Sequence, residues 1–261
     1  MIVDVSKWQG EIDWKKAAGS VEMAILRAGC GRTRDERFHE NCQGCRENGV
    51  PYGTYWYLTA VSGEEARAQA RAYYEAASGE DPLFYAADVE DKGLLQADTD
   101  GVTLAFAREL KALGAGKLGL YVGQYVYPRL RKCPGQFDFL WVPRYGKNDG
   151  TVTPPTIDCD LHQYTSNGQV EGIRGRVDVN RLCGEVDLEW FTRRAGKYVR
   201  VAARGTWHVR SGNGKDFDSL GVAKSGERWP YVARAENGWL CFLYEKGTLG
   251  WISGLAGEVE S

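Results

Sequence analysis

The chain has 261 residues, 43% of them hydrophobic and 26% charged, the balance of a soluble globular protein with room for one large domain or one large and one small. A formal net charge of −2 argues against nucleic acid as the main partner, and no apolar run reaches the roughly 18–20 residues that membrane insertion needs. Seven cysteines, an odd set without framework spacing, read as reduced thiols made in a cytosol rather than a disulfide scaffold.

In chain order, Ile2–Val5 is a short apolar run that reads as a buried first strand, and residues 22–29 (EMAILRAG) as a second. Residues 35–48 carry helical periodicity, with Gly49 placed as a C-cap beyond them. Cys42 and Cys45 have the C-x-x-C spacing of a metal or redox pair. No second pair follows at a zinc-site interval, and both share helical spacing with Phe38, which favours a core face. No metal or cofactor is expected. The aromatic run 51–58 (PYGTYWYL) reads as a strand. Ser62 with Glu65 three residues on forms a capping box for a helix through Ala77. A strand at 82–89, an amphipathic helix at 100–113, and strands at 117–122, 139–142, 160–164 and 176–179 follow. Strands alternating with helices predict a mostly parallel α/β sheet, a TIM-like β/α barrel whose helices become short or missing in its second half.

Past residues 193–196 the texture changes. From about Lys197 short β-prone runs alternate with Gly, Asn and Asp turns, and Asn237-Gly238 is a strong hairpin signal. This reads as a second domain, a small all-β barrel over 198–261 behind a first domain over 1–192.

Four acids stand at the edges of strand-like runs: Asp4, Asp88 and Glu90 of the D-x-E, and Asp178. A parallel barrel delivers such side chains to one pocket at the C-terminal ends of its strands. Asp88 and Glu90, two apart in a strand, face the same way. Repulsion and partial desolvation raise one of the pair, leaving a proton donor near neutral pH. Asp4 and Asp178, on first and last strands, become neighbours when the barrel closes. Trp8, Tyr55, Tyr57, Trp141 and Tyr164 lie beside these acids, and with Tyr121 and Gln163 they are the candidate substrate contacts. Convergent carboxylates are the equipment of glycosidic-bond hydrolysis.

These residues resemble the glycoside hydrolase family 25 lysozymes, the N-acetylmuramidases of phage endolysins and bacterial autolysins. The matching pieces are DVSKWQG, ILRAGCGRTRDERFHEN, NGVPYGTYWY, ADVED, GLYVG, LWVPRYG and GRVDVNRL, spread over about residues 1–190 in the family's order. The resemblance implies that Glu90 is the general acid/base and Asp88 the second catalytic acid, that Asp4 and Asp178 flank them, and that the substrate is the β-1,4 bond from N-acetylmuramic acid to N-acetylglucosamine in bacterial peptidoglycan. It implies net retention, either by attack of the substrate's own acetamide or by direct attack of Asp88. His162-Gln163-Tyr164 departs from the family's Trp-Gln-Tyr, which points to altered packing, or to a pH-sensitive group at the cleft.

The tail resembles a bacterial SH3-type domain through WHVRSGNG, GERWPYVARAENGWLCFLY and LGWISG, which implies a wall-binding module; a stabilising or dimerising appendage is the alternative. Trp207, Trp229, Tyr231 and Trp239 are its candidate stacking residues, with Trp239 and Trp251 also candidates for its core. The N-terminus lacks a basic region followed by an apolar one, so no signal peptide is expected. With the resemblance, this points to an endolysin held in the host cytoplasm until released onto the wall. A bacterial autolysin, a non-catalytic wall-binding protein and a hydrolase of chitin are the other readings. Oligomeric state is not legible.

Overall fold

The structure is a computed structural model that describes residues 1–193, 197–245 and 248–260. Strands β1 (Ile2–Val5), β2 (Met23–Cys30), β4 (Tyr52–Tyr57), β5 (Phe84–Val89), β6 (Lys117–Val122), β7 (Phe139–Pro143), β8 (Leu161–Gly168) and β9 (Val177–Leu182) form a closed barrel, with the two-residue β3 (Thr33–Arg34) as an antiparallel flap on β2. Pairing is parallel from β1 through β8. The last strand reverses: β9 is antiparallel to both β8 and β1. The mostly parallel sheet expected from the sequence is found, and its departure from parallel pairing lies at the strand that closes the barrel. No helix intervenes between β8 and β9 to carry the chain back, so the two join as a long hairpin.

Helices α1 (Trp14–Ala17), α2 (Phe38–Glu47), α3 (Gly63–Ala77), α4 (Lys92–Gln96) and α5 (Thr99–Ala112) cover the first half; two short 3-10 turns separate β6 from β7. The expected helix over 35–48 begins three residues late because Asp35 is occupied otherwise. Its carboxylate accepts from the backbone N–H of Lys7 and Arg37 and from the Arg27 guanidinium. Phe38, Cys42 and Cys45 are fully buried on the core face of α2, and Gly49 takes φ +70° just past its end. At α3, Ser62 Oγ accepts from Glu65 N at 3.2 Å, but the Glu65 carboxylate accepts from Val61 N, one residue before the usual capping-box partner.

Alternation in the strands sorts two cores. Val3, Val5, Ala87, Val89, Leu118, Leu120, Val177 and Val179 point outward and pack with the helices. Ile2, Ile25, Phe84, Ala86, Phe139, Trp141 and Leu161 fill the interior. At the base, Phe84 and Phe139 meet edge to face at 5.0 Å, and Phe191 of α6 (Leu188–Thr192) plugs the opening. Gly53 and Gly119 make room, since a Cβ at either would sit about 2 Å from a Phe84 or Phe139 ring atom. One end of the barrel is thus stoppered by aromatic rings, and only the other is free to hold polar groups. Phe84→Ala should cost about 3–5 kcal/mol and lower the thermal midpoint by roughly 10 °C. Calorimetry showing a loss below about 2 °C would mean that this plug does not hold the barrel.

The C-terminal part is an antiparallel sheet of β10 (Tyr198–Val201), β11 (Thr206–Arg210), β12 (Ser219–Lys224), β13 (Arg228–Arg234), β14 (Leu240–Leu243), β15 (Leu249–Ile252) and β16 (Gly257–Glu260), in the order β12-β11-β15-β14-β13-β10-β16. The hairpin at Asn237-Gly238 joins β13 to β14, with Gly238 at φ +84°. Tyr231, Phe242, Tyr244 and Ile252 are buried on one side, with Trp207 and Trp229 packed against them. Trp251 and Cys241 are buried in a second cluster, against which Trp239 packs. The Trp251 ring lies over Gly49, and Asn213 Nδ2 donates to Glu47 O at 2.7 Å, so this sheet rests on the end of α2.

Candidate active site

The open end of the barrel collects the acids. Asp4 is the third residue of β1, Asp88 the fifth of β5, and Glu90 follows the end of β5. Asp178 is the second residue of β9. Because β9 runs backward, a residue at its start reaches the rim where the parallel strands end, and Asp4 and Asp178 are direct register partners. The neighbour relation expected from closure holds, by way of a reversed strand.

Asp4 is 4% and Asp88 5% exposed, whereas the Glu90 side chain opens to solvent. Asp4 Oδ2 accepts from Gln163 Nε2 at 2.9 Å and from Asn180 Nδ2 at 2.8 Å. The amide oxygen of Gln163 accepts from Tyr121 OH and Tyr145 OH, and that of Asn180 from Trp141 Nε1. These bonds orient both amides so that their N–H groups face the carboxylate. Across the mouth, Asp88 Oδ1 is buried and has no hydrogen-bond partner among the described residues. Arg27, gripped by Asp35 through two 2.7 Å contacts, is a nearby positive charge that favours its ionised form.

All four acids hold protons more tightly than ordinary carboxyls. Burial raises Asp4 to about 8, helped by Asp178 and opposed by the Asn180 and Gln163 amides. Burial, then Glu90 and Asp4, push Asp88 well up. Burial raises Asp178 to about 6. Glu90 is raised by desolvation and then by Asp178, although its side chain remains open to solvent. A single raised member of the D-x-E pair was the expectation. Instead the whole cluster shares fewer charges than it has carboxyls, because burial acts on every member.

The candidate substrate contacts divide. Tyr55 and Tyr57 face the mouth, where burial first and then the nearby acids raise both hydroxyls. Trp8 is 76% exposed on a 3-10 turn after β1, with Lys7 Nζ 5.5 Å from its ring centre. Trp141 is 1% exposed and edge-on to Tyr121 and Tyr55, so it is a strut beneath the site rather than a stacking surface. Tyr121 and Gln163 are likewise buried supports. Tyr164 points to the outer face, beside His162. His162 is buried there too, its Nε2 2.9 Å from Arg144 O, and burial lowers its pKa, so it is a packing residue off the cleft.

Asn180, Tyr145 and Arg27 were not singled out from sequence. Alternation from Asp178 carries a signal for Asn180, and an arginine inside an apolar strand carries one for Arg27. Nothing local marks Tyr145. A groove of about 750 Å³ beside Trp14, Gln43 and Glu171 lies outside the barrel, away from these carboxylates.

Residues 3–173 match the family described as Glycosyl hydrolases family 25. The chain is similar to YegX of Escherichia coli (strain K12), 31% identical over 201 residues, 71% of this chain and 70% of YegX. It is similar in structure to GHIP, a glycosyl hydrolase 25 of Streptococcus pneumoniae (29% identity, TM-score 0.67, 73% of this chain and 89% of that one). It is also similar to the catalytic domain of endolysin ply40 from bacteriophage P40 of Listeria monocytogenes (27% identity, TM-score 0.66, 73% and 95% covered). A closed barrel with four carboxylates at its open end, matched over most of its length by these proteins, belongs to glycosyl hydrolases family 25.

Proposed function

We propose that the chain is a peptidoglycan hydrolase that cuts the β-1,4 bond between N-acetylmuramic acid and N-acetylglucosamine with net retention, acting as a phage endolysin. The observation that carries this reading is the four-carboxylate mouth, with an exposed acid beside a buried one whose Oδ1 has no hydrogen-bond partner among the described residues. Glu90, raised and reachable, protonates the leaving oxygen. The substrate's acetamide carbonyl attacks the anomeric carbon and the leaving sugar departs. Asp88 Oδ1 accepts the acetamide N–H, a bond that together with Arg27 draws Asp88 toward its ionised form. Glu90, now ionised, takes a proton from water as that water opens the cyclic intermediate. Asp178, ionised above about pH 6, holds negative potential below the developing cation with the protonated Asp4 carboxyl beside it, and Tyr55, Tyr57 and Trp8 flank the bound chain.

The C-terminal sheet, in this reading, is an SH3-type module over 198–261 that binds the wall and concentrates the barrel over 1–192 on its polymer. Two weak sites on one tether multiply avidity without new contacts. The protein accumulates in the host cytoplasm and reaches the wall after release.

Mass spectrometry of muropeptides freed from purified sacculi is the test. New reducing-end N-acetylmuramic acid is expected. Reducing-end N-acetylglucosamine would overturn the bond assignment, and adhesion to the wall without sugar release would make the chain a binding protein.

A further inference from the structure

Seven cysteines are free, and two of them, far apart in sequence, meet. Cys159 precedes β8 and Cys183 follows β9; Leu161 and Leu182, just inside them, form the terminal rung of the β8–β9 ladder. The two sulfurs lie 3.0 Å apart. Backbone bonds hold them there. Cys183 N donates to Asp160 O, the Cys183 thiol donates to Cys159 O, and Asp160 is tied to Leu140 through both its N–H and its carboxylate. Cys159 is buried and Cys183 is exposed, so one sulfur is reachable from solvent and the other waits behind it.

We propose that Cys159 and Cys183 are a built-in oxidation site, forming a disulfide by exchange with a low-molecular-weight disulfide and so stapling the hairpin that closes the barrel. The chemistry balances as two exchanges. The Cys183 thiolate, its proton lost to solvent, attacks one sulfur of the reagent and expels the first thiolate. Cys159 then loses its proton, attacks the Cys183 sulfur and expels the second. One reagent disulfide is reduced to two thiols, and two protein thiols become one disulfide. The Cys159 thiol, hydrogen-bonded to its neighbour, lowers the pKa of Cys183, and Arg181 adds to this; both favour Cys183 as the attacking sulfur.

The consequence follows from what the bond encloses. Gln163 sits on β8, and Asp178 and Asn180 on β9, the strand whose pairing with β1 closes the cylinder. No helix braces the connection between these strands, so the hairpin is held by its own ladder, by pairing with β7 and β1, and by Val170 and Ile173 of the connection. A bond at its foot, on the opposite end from the carboxylates, secures that strand without touching the site. In a reducing cytosol the two thiols stay reduced, and the bond forms where disulfides persist.

Full-length protein, reduced and desalted, would be incubated with oxidised glutathione, blocked with iodoacetamide and digested with trypsin. The expected product links the peptide containing Cys159 to that containing Cys183, with a thermal midpoint roughly 5–10 °C above that of the reduced protein. Cys183→Ser should lose both the link and the shift, and Cys30→Ser should keep both. Cys159→Ser should trap glutathione on Cys183. A wild-type protein that stops at a glutathione adduct, a link between other cysteines, or a link that leaves the midpoint unchanged would overturn the proposal.

Discussion

Glu90→Gln is expected to lower the rate of muropeptide release by about 10²–10⁴-fold while leaving the fold intact. The substitution keeps shape and volume but removes the proton that must reach the leaving oxygen and the base that later activates water. Glu90 is exposed and lies just past the end of β5, outside the barrel ladder, so the amide disturbs no core contact. Circular dichroism should therefore match the parent, and the thermal midpoint near neutral pH should be no lower, because Gln removes the repulsion that raises Glu90 and Asp88. Release within about threefold of wild type would remove Glu90 from the mechanism and leave Asp88 or Asp178 as the proton donor.

The second large effect concerns stability. Asp4→Asn should make the protein more stable at pH 8 by on the order of 3 kcal/mol and indistinguishable from wild type near pH 4. The sign follows from the raised pKa. An unfolded Asp4 ionises near 3.8, whereas the folded one keeps its proton to about 8. Between those values the folded state holds the extra proton, so stability falls as pH rises, and it levels off above 8. Asp178, raised to about 6, adds a smaller decline between about 4 and 6 that the variant retains. A four-unit displacement corresponds to about 5 kcal/mol; coupling among the acids lets neighbours take up part of the charge, which reduces it. Asn keeps an oxygen to accept from Gln163 and Asn180. Activity should fall in the same variant only above about pH 8, where wild-type Asp4 is ionised and Asn is not. Denaturant midpoints at several pH values check this, and parallel pH slopes for variant and wild type would mean that Asp4 is ionised in the folded protein.

Much of the site was legible because its parts obey local rules. Period-two alternation assigned Asp88 and Glu90 to one face, and polar residues at the ends of apolar runs marked Asp4 and the D-x-E. Helix α3 was readable from Ser62 and its alanines, since capping and propensity act within a few residues. Other features answer to partners distant in the chain. Asp35 has the look of a helix start, yet Arg27 and the Lys7 backbone claim its carboxylate, and α2 begins later. Trp141, Tyr121 and Gln163 read as sugar contacts because aromatic and amide groups beside acids commonly are. Their actual places, below the carboxylates with hydrogen bonds to Asn180 and to each other, depend on the barrel's radius and on which layer each residue occupies.

Composition, strand alternation and a handful of motifs were enough to determine a barrel of strands, a β-rich tail and the identity of four acids, because each follows from residues near one another in the chain. Tertiary structure alone decided the direction of β9, the amide and aromatic scaffold that aims Asp4, the shared raising of all four carboxyl pKa values, and the meeting of Cys159 with Cys183. These depend on closure of the cylinder, which brings its first and last strands into register and removes water from the groups between them.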